Sequence, residues 1–299
     1  MMHPKLSIVT PSYNQGNFIE ETIQSILSQN YSNLEYIIID GGSTDNSVEI
    51  IKKYASHLTY WVSEKDKGQA NAINKGLKLC TGEIFNWLNS DDYLKPGVLH
   101  KIAEAFEDKK VNMVAGKVRN FSSTTEEIIP NQNLSAQGLI CWLPGVKFIQ
   151  PGVWMRRELI EKSGGIDEKY HYAFDWDLYI RYLYNFPYVK VIDDILVNFR
   201  LHDNSKTQSL QEYFTIEERQ IIEKIYTLDD FGLLKDICLY KIQKTNWTAF
   251  LSNLSVSPIS VFSKYLAVLQ ALPDYSKVSY SRQTAGALKA FATGKKFKY

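Results

Sequence analysis

Two adjacent carboxylates, Asp91 and Asp92, close the segment Trp87-Leu88-Asn89-Ser90-Asp91-Asp92, where a short apolar strand from Ile84 to Leu88 should run out. Strand ends facing the crevice of an α/β sheet are where such folds bind ligands. Carboxylate oxygen is also the donor that Mg2+ and Mn2+ prefer, and Mg2+ leaves much of its shell to phosphate and water. Asn, Ser and Asp are equally the residues of a plain polar turn. What separates the two readings is whether other segments bring chemistry to the same place.

The elements that must position these residues follow from the apolar pattern. Leu6 to Thr10 reads as a buried strand, and Pro11 to Asn17 as a turn-rich loop entering a helix capped near Asn17, with Phe18, Thr22, Ile23, Ile26 and Leu27 at helical spacing. Leu34 to Ile39 is a second strand, ending in Asp40-Gly41-Gly42-Ser43-Thr44-Asp45 before a helix that carries Val48 and Ile51. Thr59 to Val62 gives a third strand, Gly68 to Leu79 a helix stopped by Thr81-Gly82, and Pro96 opens a helix with Leu99, Ile102, Ala103 and Phe106 inward. Val111 to Val118 returns as a strand. The alternation predicts an α/β fold, a mostly parallel sheet with helices on both faces and right-handed crossovers. Asn120 to Gln150 reads as functional loop. Beyond it the pattern predicts a strand at Gly152 to Met155, helices at Arg157 to Lys162 and Asp175 to Tyr184, and extended segments at Val189 to Ile192 and Ile195 to Arg200. Past His202 three helical stretches follow, so a boundary is placed near residue 205: residues 1–205 as the sheet domain, 206–299 as a smaller helical region.

Composition narrows the function classes. Lys plus Arg total 34 against 33 Asp plus Glu, so a net charge of +1 gives no field to draw nucleic acid across the whole surface. The three cysteines, Cys80, Cys141 and Cys238, are far apart and in no metal-ligand spacing, which points to a reducing compartment, the cytoplasm. Neither an apolar leader nor a run long enough to span a bilayer is visible. The first strand is followed by Pro11-Ser12-Tyr13, where a dinucleotide-binding dehydrogenase would carry Gly-x-Gly-x-x-Gly and a nucleotidyltransferase a glycine-rich basic loop.

The loops at Pro11 to Asn14, Asp40 to Asp45 and Asn89 to Asp92 leave the carboxyl ends of successive strands and so converge on one crevice. Thr10 to Asn14 (TPSYN), Ile39 to Asp45 (IDGGSTD), Lys67 to Gly76 (KGQANAINKG) and Leu88 to Asp92 (LNSDD) together resemble the family 2 glycosyltransferases, over roughly the first two thirds of the chain. The resemblance implies a GT-A fold, a nucleotide-sugar donor, Mg2+ or Mn2+ as cofactor, and transfer with inversion.

Carried over by position, the resemblance puts Pro11 and Tyr13 at the border of the base and Asp40 on the base edge. Asn74 stands near the nucleotide, Lys67 within reach of the pyrophosphate, Asp91 at the ribose and Asp92 at the metal. A carboxylate accepting from a base imide and a ring against the base face are physically apt. Asn89 replaces the usual opening Asp; it can hydrogen-bond ribose but adds no charge. In the same family a Glu-Asp pair opens the helix that carries the base; here Phe174 takes the Glu position and Asp175 keeps the Asp, with Asp177 as rival and a helix cap as the plainer role. Trp176 lines the acceptor pocket or the core. Gln150-Pro151-Gly152 resembles an acceptor-side segment, and Arg200-Leu201-His202-Asp203-Asn204-Ser205 a motif whose His touches metal or diphosphate.

The expected activity is therefore inverting transfer from a nucleotide-diphosphate sugar, UDP favoured with dTDP and GDP open, to a hydroxyl of a glycan or lipid-linked acceptor in polysaccharide assembly. A non-catalytic nucleotide- or sugar-binding protein that retains the fold is the alternative. Lys277 to Tyr299, with Lys289, Lys295, Lys296 and Lys298 among Leu288, Phe291 and Phe297, suggests a solvated basic tail or a peripheral contact with the inner face of an anionic membrane.

Overall fold

The computed structural model describes residues 3–202, 211–279 and 281–293. The boundary expected near residue 205 lies outside the described residues. Two compact units are formed, Met1–Glu217 and Glu218–Tyr299.

The first unit is built on a nine-stranded sheet. β1 (Leu6–Ser12) pairs in parallel with β2 (Leu34–Asp40) on one side and β4 (Ile84–Trp87) on the other, and β3 (Tyr60–Ser63) extends the β2 side in parallel. The strand order therefore reverses at β1, and the carboxyl ends of β1 and β4 flank a topological switch point. Helices α1 (Ile19–Leu27), α2 (Ser47–Lys53) and α3 (Gln69–Leu79) make the crossovers. Ile8 belongs to the core cluster that holds Ile19, Ile23 and Ile26 of α1. Its neighbour Val9 points the other way and meets α3 at Gly76, where an added Cβ would lie 2.5 Å from a Val9 methyl. Gly76 thus lets α3 lie close on the sheet.

Beyond β4 the sheet turns mixed. Only Leu88 to Asp92 separate β4 from β5 (Tyr93–Leu94), too few for a parallel crossover. Instead β5 leaves β4 and pairs antiparallel with β9 (Val189–Arg200), at the edge of the sheet opposite β3. After α4 (Val98–Ala105), β6 (Met113–Phe121) lies parallel to β9 and antiparallel to β8 (Val153–Arg156), which also pairs antiparallel with β4. The two extended segments expected at Val189 to Arg200 are one strand with a register shift against β6. The irregularity accommodates Asp193 and Asp194, which pair with Lys117 and Lys101. The stretch expected as loop from Asn120 holds β7 (Glu126–Ile129), paired with β6, and α5 (Ala136–Cys141). Buried Asn131 ties it down, donating to the carbonyls of Gly116 and Ile149 and accepting from Ile149 N. α6 (Arg157–Lys162) and α7 (Phe174–Asn185) precede β9.

α8 (Gln211–Thr227) carries the chain across the boundary between the units. The second unit then contains α9 (Gly232–Val256), α10 (Val261–Ala271) and α11 (Arg282–Thr293), around a core of Trp247, Leu251, Val268, Ala287 and Phe291. Trp247 Nε1 satisfies its buried donor on Thr284 Oγ1 at 2.8 Å. Phe291 and Leu288, expected among the apolar residues of a basic tail, pack into this core. Lys295, Lys296, Phe297 and Lys298 lie outside the described residues.

Candidate active site

The first wall of the crevice is made by the ends of β1 and β2. Asn14 N donates to Ser43 Oγ at 2.8 Å, and Asn14 Oδ1 accepts from Thr44 N at 2.9 Å, which clamps the β1 loop to the β2 turn. Pro11 is buried within β1, opposite Ile39. Tyr13, at the loop tip, is 60% exposed, so its ring is presented to solvent instead of packed in the core. Asp40 is buried. Its carboxylate accepts from Gly42 N, Ser43 N, Ser43 Oγ and Ser63 Oγ, an arrangement that shapes the turn itself. A Cβ on Gly41 would come within 2.8 Å of an Asp66 oxygen, so a second carboxylate approaches the same turn. Asp66 has no signal in the sequence beyond its place two residues before Gly68. Its Oδ1 accepts from Gly68 N at 2.8 Å and leads into α3.

The second wall is the turn after β4. Gln69, at the start of α3, donates to Asn89 Oδ1 at 2.7 Å, so the neutral head of the motif is braced by α3. Asp91 and Asp92 differ sharply. Asp92 is 1% exposed; Arg200 N donates to its Oδ1 at 3.0 Å, and Asn89 Nδ2 approaches its Oδ2 at 3.5 Å. Burial first, and then the adjacent Asp91, push the Asp92 carboxyl well above the usual carboxylate range. Asp91 instead reaches the partly exposed surface, where its Oδ2 lies 3.0 Å from His202 Nε2. Arg200 joins the two sides: Nε donates to the Asp91 carbonyl, the guanidinium pairs with Glu21, and its plane lies over Phe18 and Phe121. This hub carries no periodic signal, and only its place two residues before His202 could have flagged it. Asp203, Asn204 and Ser205 lie outside the described residues.

One carboxylate oxygen and one imidazole nitrogen make a donor set compatible with a divalent cation that takes its remaining ligands from diphosphate and water. Among the described residues no cluster of three or more His, Cys, Asp and Glu side chains forms a fuller cage. Mg2+ or Mn2+ bound partly by its substrate fits such an open pair.

The third wall holds the candidate base. Asp175 sits in the first turn of α7, partly exposed, its Oδ1 accepting from Trp176 N at 2.7 Å. Asp177 is fully buried and accepts from Arg181 Nε and Nη2 at 3.0 and 2.6 Å. The helical turn has thus aimed the rival carboxylate into an internal ion pair. Trp176 is buried, with Trp142 stacked on it at 6.2 Å. Trp87 of β4 lies against Tyr179 and Phe174, joining α7 to the strand that leads into the Asp91 turn. Gln150 braces the same strand, its Nε2 donating to Asn86 Oδ1 and the Trp87 carbonyl.

Asn74 fastens the loop from Ile166 to Glu168 that precedes α7. Its Nδ2 donates to the Ile166 carbonyl and to Glu168 Oε1, while Asn71 donates to Glu168 Oε2. Those bonds, Asn74 foremost, hold the Glu168 carboxyl below its ordinary range. Lys67 is exposed in the loop before α3, its backbone N–H donating to Asn71 Oδ1.

A sheet whose order reverses at β1, with an acidic turn at the end of β4, is that of the GT-A glycosyltransferase fold. The chain belongs to glycosyl transferase family 2, whose family profile matches residues 7–164. It is 30% identical to an uncharacterized glycosyltransferase of Rickettsia typhi over 227 residues, covering 70% of this chain and 69% of that one. To the glycosyltransferase EpsJ of Bacillus subtilis it is 27% identical, covering 87% and 80%. Among solved structures it resembles S. aureus TarS 1-349 in complex with UDP-GlcNAc, with a TM-score of 0.66 and 16% identity over 98% of this chain and 93% of that one. It also resembles the mannosyltransferase PcManGT of Pyrobaculum calidifontis in complex with GDP-Man and Mn2+, with a TM-score of 0.59 and 18% identity over 98% and 86%.

Proposed function

We propose that this glycosyltransferase moves a sugar, with inversion, from a nucleotide-diphosphate donor to a hydroxyl of a glycan or lipid-linked acceptor in polysaccharide biosynthesis, and that the reaction depends on Mn2+ or Mg2+. UDP is the favoured carrier, in keeping with the UDP-GlcNAc bound by TarS; GDP is the carrier bound by PcManGT. The observation that carries the reading is the pairing of Asp91 with His202 across 111 residues, at the switch point of the sheet. Tyr13 presents its ring to the base, over the turn organised by Asp40 and bordered by Asp66. Pro11 shapes that loop, Lys67 stands on the diphosphate side, and Asn89, braced by Gln69, faces the ribose.

The metal roles divide differently from the sequence expectation. Asp91 and His202 would hold the cation, while Asp92, buried and bonded to Arg200 N, supports the turn from beneath. Bound there, the cation would supply Lewis-acid stabilisation of the charge that gathers on the departing diphosphate. Asp175 accepts the acceptor's hydroxyl proton as that oxygen attacks the anomeric carbon, so a single displacement suffices. Asn71 and Asn74, through Glu168, keep the loop before Asp175 in place.

A panel of nucleotide sugars assayed for diphosphate release, with and without Mn2+, tests the proposal. Turnover with one donor that disappears in Asp175→Asn is expected. Nucleotide binding without turnover, indifferent to Asp175→Asn, would mean a binding protein that keeps the fold.

A further inference from the structure

The second unit carries an apolar ridge that its own packing leaves uncovered. α10 buries Val268 in the core but leaves Phe262, Leu266 and Leu269 at 77, 45 and 61% exposure. Their spacing of four and three residues places them on one face of the helix. Val256 and Ile259, just before the helix, are exposed as well. Several large apolar side chains exposed on one face mark a contact with a partner or a membrane.

Charge selects the occupant. From Glu218 to Tyr299 the sequence holds twelve lysines and arginines against six acids, although the whole chain carries only +1. The positive charge is therefore concentrated around the ridge in the sequence and offset elsewhere. A second copy docking through the same unit would set like charge against like, which opposes self-association. An anionic lipid surface complements both features: its potential attracts the basic residues, and its headgroup–acyl boundary accepts apolar side chains.

We propose that the α10 ridge docks on anionic lipid bilayers, with Phe262, Leu266 and Leu269 entering the interface and the surplus Lys and Arg of the unit supplying the attraction. No helix among the described residues is long and apolar enough to cross a membrane, and this contact needs none. The inference stands apart from the reaction, since it concerns where the enzyme sits.

Vesicle sedimentation of the full chain tests it, using phosphatidylcholine alone and phosphatidylcholine with about 30% phosphatidylglycerol. Binding to the anionic vesicles is expected, weakening in roughly 0.5 M salt. The variant Phe262→Ser/Leu266→Ser/Leu269→Ser should lose about tenfold or more in vesicle affinity while keeping its circular dichroism and donor turnover. Equal binding by variant and parent, or no binding of the parent to anionic vesicles, overturns the proposal. So does a parent dimer that the variant breaks, seen by analytical ultracentrifugation without any lipid binding, which would make the ridge a self-association face.

Discussion

The Glu217 carboxylate accepts the backbone N–H of Ala173 at 2.8 Å, and at the same distance those of Tyr172 and His171. It thereby closes the N-terminal approach to α7, the helix that holds Asp175, from a position far along the chain. Three hydrogen bonds converge on one carboxylate, and their loss removes the acceptor that holds the His171–Ala173 backbone at the start of α7. Glu217→Ala should lower kcat about tenfold or more, with donor KM changed less than about threefold, because it displaces Asp175, the base proposed above, and leaves the β1, β2 and β4 turns in place. Glu217→Gln should recover part of the loss. Steady-state kinetics on both variants decide it: equal losses in kcat and in donor binding would refute a positioning role.

Asp91 and Asp92 should separate in a metal titration. Asp91→Asn is expected to cut turnover by about a hundredfold or more, and His202→Ala to raise the Mn2+ concentration for half-maximal rate by about tenfold, since each removes a donor from an open site. Asp92→Asn should leave the metal requirement within about threefold and stability near the parent value, since an amide oxygen can still accept from Arg200 N, whereas Asp92→Ala, which removes that acceptor, should lower stability by about 1–2 kcal/mol. A stronger metal effect at Asp92 than at Asp91 would place the cation on Asp92.

Asp175 and Asp177 make a second contrast, two residues apart on one helix. Asp175→Asn should abolish turnover while donor binding by calorimetry and the thermal midpoint stay near the parent values. Asp177→Asn leaves the buried Arg181 guanidinium without its charge partner. Breaking such a pair costs about 3–5 kcal/mol, so urea unfolding should shift far toward low denaturant. A stable, inactive Asp177→Asn protein would transfer the base role to that residue.

Glu35 predicts the acid limit of the fold. Burial by itself would raise its carboxyl, but hydrogen bonds from Ser7, Thr81 and Lys5 bring it down to about 2. A depressed folded-state value stabilises above the unfolded carboxylate range, and that stabilisation is lost as pH falls from about 4.5 toward 2. Its size is at most about 3 kcal/mol, reduced by solvent screening on the side of the partly exposed Lys5. Urea midpoints of the parent and Glu35→Gln should therefore differ at pH 7 and converge as pH approaches about 2. A constant difference would show that the carboxylate charge contributes nothing.

Local pattern carried the first half of the fold well. Apolar strands at Leu6, Leu34 and Ile84, each followed by a polar turn and a helical period, leave little choice but β–α alternation with loops on one edge of the sheet. The helix at Arg157 to Lys162 was also legible. Pattern failed where a partner far along the chain sets the structure: Asp193 and Asp194 interrupt an apolar run and read as a break, yet register shift, Lys101 and Lys117 keep β9 continuous. The antiparallel entry of β8 between β4 and β6 has no local signature at all.

The site divides along the same line. Residue types and spacing by themselves determined that Tyr13, Asp40, Asn89, Asp91 and Asp92 stand at strand ends, because strand and turn signals act over a few residues. Which of two neighbouring carboxylates is buried, what Asn74 holds, and why Asp177 serves stability were decided only by tertiary contacts. Burial, and pairing with Arg200, Glu168 and Arg181, depend on atoms that the fold alone brings within 3 Å. Sequence placed the acids at the crevice; packing sorted those that face it from those that hold it up.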